Sequence, residues 1–423
     1  MAIRKLHYAW VIAAVTFLIL MVGAGVRAVP GVFVVPLENE FGWSRTTISL
    51  AVGINICLYG LLAPFAAATM DAFGVRRIMT VAVSAIGISI ALTTLMTAAW
   101  QLIALWGVVL GFCIGFTTNV LAAQMASRWF VARRGMVLGI LASAVATGQF
   151  LLLPLLAMVA VNFGWRTMAL VMAAIVLGLV PIVALLMRDR PEDKGLTAYG
   201  EAPGTKPAVR QTGNPVRQAF AGLALGLRTR DFYIIAGTFF VCGASTNGLV
   251  GTHLIPACID HGIPEIAAAS LLASMAMFNF FGATGSGWLS DRVDARLLLS
   301  IYYGLRGLSL LILPFSFDTF YGLALFAMFY GLDWIATIPP TIKLIGQTFG
   351  REKTGVMYGW VTCVHQLGGA SAAFFGGVFR DNFATYMHAF LISGLLCLLA
   401  SILVWFIGYS GKQPERPAVA AAA

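Results

Sequence analysis

The feature that most constrains this chain is a recurrence. Long apolar stretches, separated by short polar breaks, follow one another along almost its whole length. An α-helix rises about 1.5 Å per residue, so about 20 apolar residues cross the roughly 30 Å hydrocarbon core of a bilayer. Twelve stretches reach about that length, near residues 8–36, 45–70, 78–98, 100–127, 134–161, 165–187, 232–258, 265–289, 297–315, 319–343, 354–379 and 384–409. Composition excludes the rival reading, a soluble helical protein. Only 10% of residues are charged and 60% are hydrophobic, against about 25% charged in a soluble domain. So few charges cannot cover a water-facing surface, and most of the surface is expected to face lipid.

The net charge of +10 invites a nucleic-acid reading, which the placement of the charges excludes. With the N-terminus inside, 22 of the 27 Lys and Arg fall in cytoplasmic segments, three (Arg45, Arg166, Arg380) on the opposite side, and two (Arg27, Arg306) within apolar stretches. That asymmetry is the positive-inside pattern. It predicts a multi-pass protein of the cell inner membrane with both termini cytoplasmic. The six cysteines all lie in apolar stretches without a CxxC pair, so neither a metal site nor a disulfide framework is indicated. The first stretch is too long for a signal peptide and reads as a membrane helix.

A second regularity organises the twelve. At a constant offset of 220 residues, Gly23 matches Gly243, Pro36 matches Pro256, Gly42 matches Gly262, Asp71 matches Asp291 and Arg76 matches Arg296. The register continues through Gly111/Gly331, Thr117/Thr337, Gly135/Gly355, Gly139/Gly359, Gly148/Gly368, and Asn162-Phe163 with Asn382-Phe383. Any one glycine match is weak, but twelve in one register imply two halves of the same orientation. The expected fold is therefore an all-α membrane protein of twelve transmembrane helices in two six-helix, pseudo-symmetric bundles. The bundles span 1–187 and 231–411, joined by a Pro- and charge-rich cytoplasmic linker at 188–230 and followed by a cytoplasmic tail at 412–423.

Two loops then carry a resemblance. Asp71-Ala-Phe-Gly74-Val-Arg76-Arg77 follows the second stretch, and Gly287-Trp-Leu-Ser-Asp291-Arg292 closes the eighth. Both resemble the loop motif G-x-x-x-D-R-x-G-R-R of the major facilitator superfamily, the first without its leading Gly and the second without the later one. The resemblance implies a cytoplasmic gate of Asp71, Arg76, Arg77, Arg134, Asp291 and Arg292, in which loop carboxylates pair with arginines in one access state and release them in the other. Gly25-Val-Arg27, Phe33-Val-Val-Pro36-Leu-Glu38, Phe41-Gly42-Trp43-Ser44-Arg45, Trp129-Phe130-Val-Ala-Arg133-Arg134-Gly135 and His365-Gln366-Leu-Gly368-Gly369 are similar to the oxalate/formate antiporter and monocarboxylate porter branch. That branch tends to use basic residues in its eighth and eleventh helices. Here the eighth stretch has Asn279 at its centre and the eleventh has His365 and Gln366, which disfavours a dicarboxylate needing two cations.

Ionisable residues inside a membrane are costly and are functional candidates by default. Arg27 lies past the middle of the first stretch, and its fork of donors suits a carboxylate. The bland alternative is an arginine that pairs with a neighbouring helix or reaches outward to the interface. Asp333 is the one acid deep in any stretch, and Arg306 lies at similar depth in the preceding one, which invites a buried pair, either structural or coupled to a proton. His365, Gln366, Asn55, Tyr59, Asn119, Gln149, Asn247 and Asn279 are further substrate-binding candidates, each with the plainer role of bonding helix to helix.

These residues predict a secondary active transporter for a small organic anion, most simply a monocarboxylate, working by alternating access with proton symport or anion exchange. An exporter of drugs or other hydrophobic compounds on the same fold stays open through Asp333. No nucleophile triad, metal cluster or phosphate loop suggests an enzyme, and no cofactor is expected. The expected partners are the anion, membrane lipid and, in a symport scheme, a proton; nucleic acid is not expected, and the chain is expected to act as a monomer.

Overall fold

The computed structural model describes residues 7–201, 215–290, 292–350 and 353–408. Asp291, the linker centre at 202–214 and the tail 412–423 lie outside the described residues, as do the side chains of Asn119 and Arg134. Among the described residues the chain is helical nearly throughout, with one isolated bridge, Phe130 to Tyr199, and no strand. Twelve passes can be followed. The first half holds α1 (Tyr8–Phe41), α2 (Arg45–Phe73), α3 (Val75–Thr93), α4 (residues 99–129), α5 (134–163) and α6 (165–186). The second holds α7 (Arg230–Asp260), α8 (Glu265–Ser290), α9 (Ala295–Phe315), α10 (Tyr321–Phe349), α11 (Thr354–Phe383) and α12 (Met387–Phe406). A linker helix, Pro215–Gly226, precedes α7.

Nine described segments are long and apolar enough to cross a membrane by length and composition alone. One of them, 51 residues of continuous helix, is two passes: Gly164, at φ +81°, folds α6 back from α5 in a conformation that only glycine adopts freely. The other two passes fall short for physical reasons. α4 is interrupted, and α11, though 30 residues long, carries His365, Gln366, Arg380 and Asp381.

The surface inverts the soluble pattern. α9 exposes Leu297, Ile301, Leu305, Leu308 and Ile312 at helical spacing and turns Tyr303, Arg306 and Leu310 inward. A stripe of that kind is stable only against lipid tails. Local signals set the ends. α1 runs through Pro36 and stops at Gly42, which turns left-handed (φ 66°) with its N–H on the Glu38 carbonyl. Ser44 then starts α2 by accepting from the Thr47 N–H at 3.2 Å. The first pass is thus longer than the 8–36 expected, because Pro36 stands inside the helix without ending it.

The 220-residue register reappears in the packing. A Cβ on Gly148 of α5 would come within 2.0 Å of the Met21 carbonyl oxygen on α1, and one on Gly368 of α11 within 2.1 Å of the Phe240 carbonyl oxygen on α7. Each half therefore closes its first and fifth helices at the same point, where only a missing side chain permits contact. The halves meet through α2 with α11, α5 with α8, and α1 with α7. α1 begins and α6 ends at one face, as Tyr8 Oη donating to the Leu186 carbonyl shows, and the start of α7 meets the end of α12 there through Asp231 and the Gly408 N–H. This is the termini face; Gly42 and Gly262 lie at the far face.

Candidate functional site

Between the halves lies a cavity of about 220 Å³. Eight helices line it, α1, α2, α4, α5 and their counterparts α7, α8, α10, α11, while α3, α6, α9 and α12 do not reach it. Four of the lining helices are irregular at cavity depth. α1 is broken at Val29, ahead of Pro30, whose missing N–H costs nothing at the start of a new helical segment. α7 widens by one residue per turn over Ala244–Val250. α4 widens over Ile103–Leu110 and opens at 115–118, where Thr118 restarts it by accepting from the Val120 N–H. α10 opens at 334–337 and restarts with Pro339 and Pro340 in its first turn. Backbone irregularity inside a membrane is tolerated where it lines a cavity, and here it recurs in the same register in both halves.

Arg27 stands two residues before the break in α1 and faces the cavity. Its Nη1 donates to the Thr117 carbonyl at 3.3 Å, across the break in α4, and its guanidinium lies 5.9 Å from the Tyr59 ring centre. No carboxylate pairs with it among the described residues. Asn55, Tyr59, Gln149, Asn247, His365 and Gln366 line the same cavity. Asn55 is committed to the Trp106 carbonyl at 2.7 Å, and Asn247 donates to Gln366 Oε1 at 3.1 Å. His365 Nδ1 is buried without a protein partner among the described residues.

Asn279 does not line the cavity. Its Oδ1 accepts from the Ile335 N–H at 3.1 Å, within the opened stretch of α10. Arg306 and Asp333 serve the same stretch. Arg306 Nε meets Asp333 Oδ2 at 2.5 Å, and Nη2 donates to the Asp333 carbonyl at 2.7 Å and the Trp334 carbonyl at 3.4 Å. Nη1 reaches Cys242 Sγ at 2.8 Å, and Ser286 covers the Ala336 carbonyl. Arg306 and Asp333 are 1% and 5% exposed, so neither offers a charge to the cavity.

The loop residues of the gate motif find partners inside their own halves. Asp71 pairs with Arg128 and accepts from Gln124, and Arg76 donates to the Ala184 carbonyl while its backbone N–H meets Asp189. Arg292 lies 4.1 Å from the Trp288 ring centre and donates to the Trp288 carbonyl. Arg77 is exposed.

At the far face the structure joins the halves by charge, and sequence reading missed this. Arg45, at the start of α2 and 4% exposed, grips Asp260 at the end of α7 through a two-pronged contact, Nη1–Oδ2 2.7 Å and Nη2–Oδ1 2.8 Å. Its Nε holds Glu38 at 2.8 Å and its Nη1 meets Tyr386 Oη at 3.1 Å. Asp381, at the end of α11, caps α2 from the other half by accepting the Arg45 and Thr46 N–H groups at 3.2 and 2.8 Å. Arg380 also donates to Asp260, at 2.7 Å. The one signal available in the sequence was that Glu40 and Asp260 stand 220 residues apart. Glu40 is held within its own half by Arg166 and by Trp165 Nε1 at 2.5 Å.

A family model described as Major Facilitator Superfamily matches residues 15–373 and 254–422. The uncharacterized MFS-type transporter YcxA of Bacillus subtilis (strain 168) is 26% identical over 401 residues, covering 91% of each chain. Monocarboxylate transporter 11 of Homo sapiens is 28% identical over 422 residues, covering 96% of this chain and 84% of its own. Monocarboxylate transporter 12-B of Danio rerio is 24% identical over 423 residues, covering 95% and 87%. Among solved structures, a bacterial homolog of the human lysosomal transporter Spinster, inward-facing and unoccupied, shares the fold at a TM-score of 0.68 and 16% identity, over 95% of this chain and 96% of that one.

Proposed function

Because this chain belongs to the major facilitator superfamily and is a transporter rather than an enzyme, we infer that its central cavity carries a small organic monocarboxylate by alternating access. The observation that carries the reading is Arg27: a cation on the cavity wall with no carboxylate partner among the described residues. A guanidinium left unpaired in a low-dielectric site favours an anion that supplies what the protein withholds. Gln149 stands on the same half of the wall, available as a second donor. The monocarboxylate transporters among the similar proteins support the substrate class. The exporter alternative loses its footing, since Asp333 is committed to Arg306 and shut off from the cavity.

The Arg45–Asp260 clasp and the Asp381 cap support a state closed at the far face. The lysine and arginine asymmetry makes the termini face the cytoplasmic one. In this reading the bundles 1–187 and 231–411 rock about the cavity, and the clasp breaks when the far face opens. His365 is the one histidine on the wall; symport would use it as a proton acceptor and exchange would not.

The test is uptake into proteoliposomes with a panel of carboxylic acids, alongside ligand-dependent thermal shifts of the purified protein. Bound ligand raises apparent stability by mass action. Arg27→Gln is expected to keep the parent's melting temperature without ligand and to lose at least about tenfold in acid affinity, one charge-assisted bond's worth. Equal shifts by acids in both proteins would discard the carboxylate reading.

A further inference from the structure

The cavity wall is divided by chemistry as well as by sequence. On the first half, Arg27 presents donors that no acid takes, and Gln149 shares that side. On the second half several polar side chains are turned on one another or on backbone carbonyls, while His365 Nδ1 and Thr362 Oγ1 are left without partners among the described residues. Asn247 donates to Gln366, and the Thr246 and Thr252 hydroxyls donate to the Cys242 and Asn247 carbonyls at 2.7 and 3.1 Å. What this half presents between them is ring surface: Phe239, Trp334 and Tyr358 all line the cavity. The His365 ring, 4.6 Å from Phe239, extends the same surface.

Such a wall discriminates. A second carboxylate lodged there finds no cation, only the Thr362 hydroxyl and the His365 ring uncommitted, and loses most of its water without replacement. A flat apolar group loses nothing and gains contact with rings. Size points the same way. One water needs about 10–15 Å³ of such space, so the cavity of about 220 Å³ has room well beyond a few waters. A two- or three-carbon acid fills a minor part of it.

We propose that the preferred substrates are monocarboxylates with an aromatic body, arylalkanoates of the size of phenylacetate, the carboxylate on Arg27 and the ring against Trp334 and Phe239. The proposal rests on the carboxylate reading and narrows it. Deep pockets with one oriented charge and an aromatic lining are the usual form of a site that reads an amphipathic ligand.

The experiment is a thermal-shift titration of the full chain in detergent with acetate, lactate, oxalate, phenylacetate and the neutral isostere 2-phenylethanol, on the parent, Arg27→Gln and Trp334→Leu. Phenylacetate is expected to act at least tenfold below lactate or acetate on the parent, with oxalate and 2-phenylethanol inactive. Trp334→Leu is expected to raise the phenylacetate midpoint about tenfold and leave lactate unchanged, and Arg27→Gln to silence every acid. Lactate equal to or better than phenylacetate on the parent overturns the aromatic proposal even if Trp334→Leu does not fold, and the carboxylate reading survives if Arg27→Gln still silences lactate. A response to 2-phenylethanol that persists in Arg27→Gln, with acids inactive on the parent, overturns both.

Discussion

Arg27 and Arg306 both reach an opened helix, α4 for one and α10 for the other, and there the likeness ends. Arg306 is 1% exposed, holds Asp333, and donates to two carbonyls of the opened turn of α10, that of Trp334 and that of Asp333, which it shares with the Ala336 N–H. Arg27 covers one carbonyl, Thr117, at a looser 3.3 Å, and faces a cavity with no acid at hand. The same side chain is a brace where the protein supplies its counterion and, in the proposed function, an anion receptor where it does not. What separates them is one carboxylate and access to the cavity.

Three variants break or sharpen that contrast. The largest effect is expected from Asp333→Leu, which strands the Arg306 charge in the apolar interior. Removing one partner of a buried pair costs about 3–5 kcal/mol, read as a large fall in melting temperature and in monodisperse yield. Adding Arg306→Met should recover most of this, short by about 1–2 kcal/mol because the carbonyls of residues 333 and 334 lose the guanidinium donors. Full loss in the single variant with no recovery in the double would mean that Arg306 is not a brace held by its acid.

A middle effect is expected from Tyr59→Glu, which gives Arg27 the kind of partner Arg306 has. Tyr59 already lies 5.9 Å from the guanidinium. An internal carboxylate there competes with the ligand, so acid-dependent thermal shifts should weaken by tenfold or more, with the unliganded melting temperature held or raised. Undiminished acid binding would remove Arg27 from the site.

The smallest effect concerns an arginine paired in water. Asp294 caps α9 and holds Arg296 at 3.0 Å, with its side chain 48% exposed. Its hydrogen bond from the Arg296 side chain keeps the Asp294 carboxyl below its usual range. A lowered pKa contributes stability above the unfolded value, near 4, and loses it as pH falls through the folded one. Asp294→Asn should therefore cost under about 1 kcal/mol at neutral pH, and the difference from the parent should vanish on acidification in melting curves taken across pH. A cost that persists in acid would show that the charge is not its source.

The passes and their pairing into halves were legible because both are written in one dimension, as apolar length and as a fixed offset. Arg27, Arg306 and Asp333 were legible because charge among apolar residues stands out whatever the tertiary structure. Asn279 shows where this ends. Its depth in α8 was readable, but its facing was not, and the Ile335 N–H takes it away from the cavity. The widened turns of α4 and α7 left no trace in hydropathy, since the extra residue per turn is imposed by packing around the cavity. Arg45 read as an ordinary interfacial charge. Its partner is 215 residues away, and no local pattern reports a pairing between halves.

The clasp at the far face has a consequence for how a duplicated unit acquires a moving part. Glu40 and Asp260 occupy one position in the two copies, and the residue that holds Glu40 at home, Arg166, corresponds to Tyr386. Tyr386 brings a hydroxyl but no charge, so Asp260 is left to draw cations from elsewhere, Arg380 nearby and Arg45 from the other copy. A single position without a cation thus turns a private bond into a shared one. In that light a latch between twins needs no new machinery, only a debt in one of them that the other can settle.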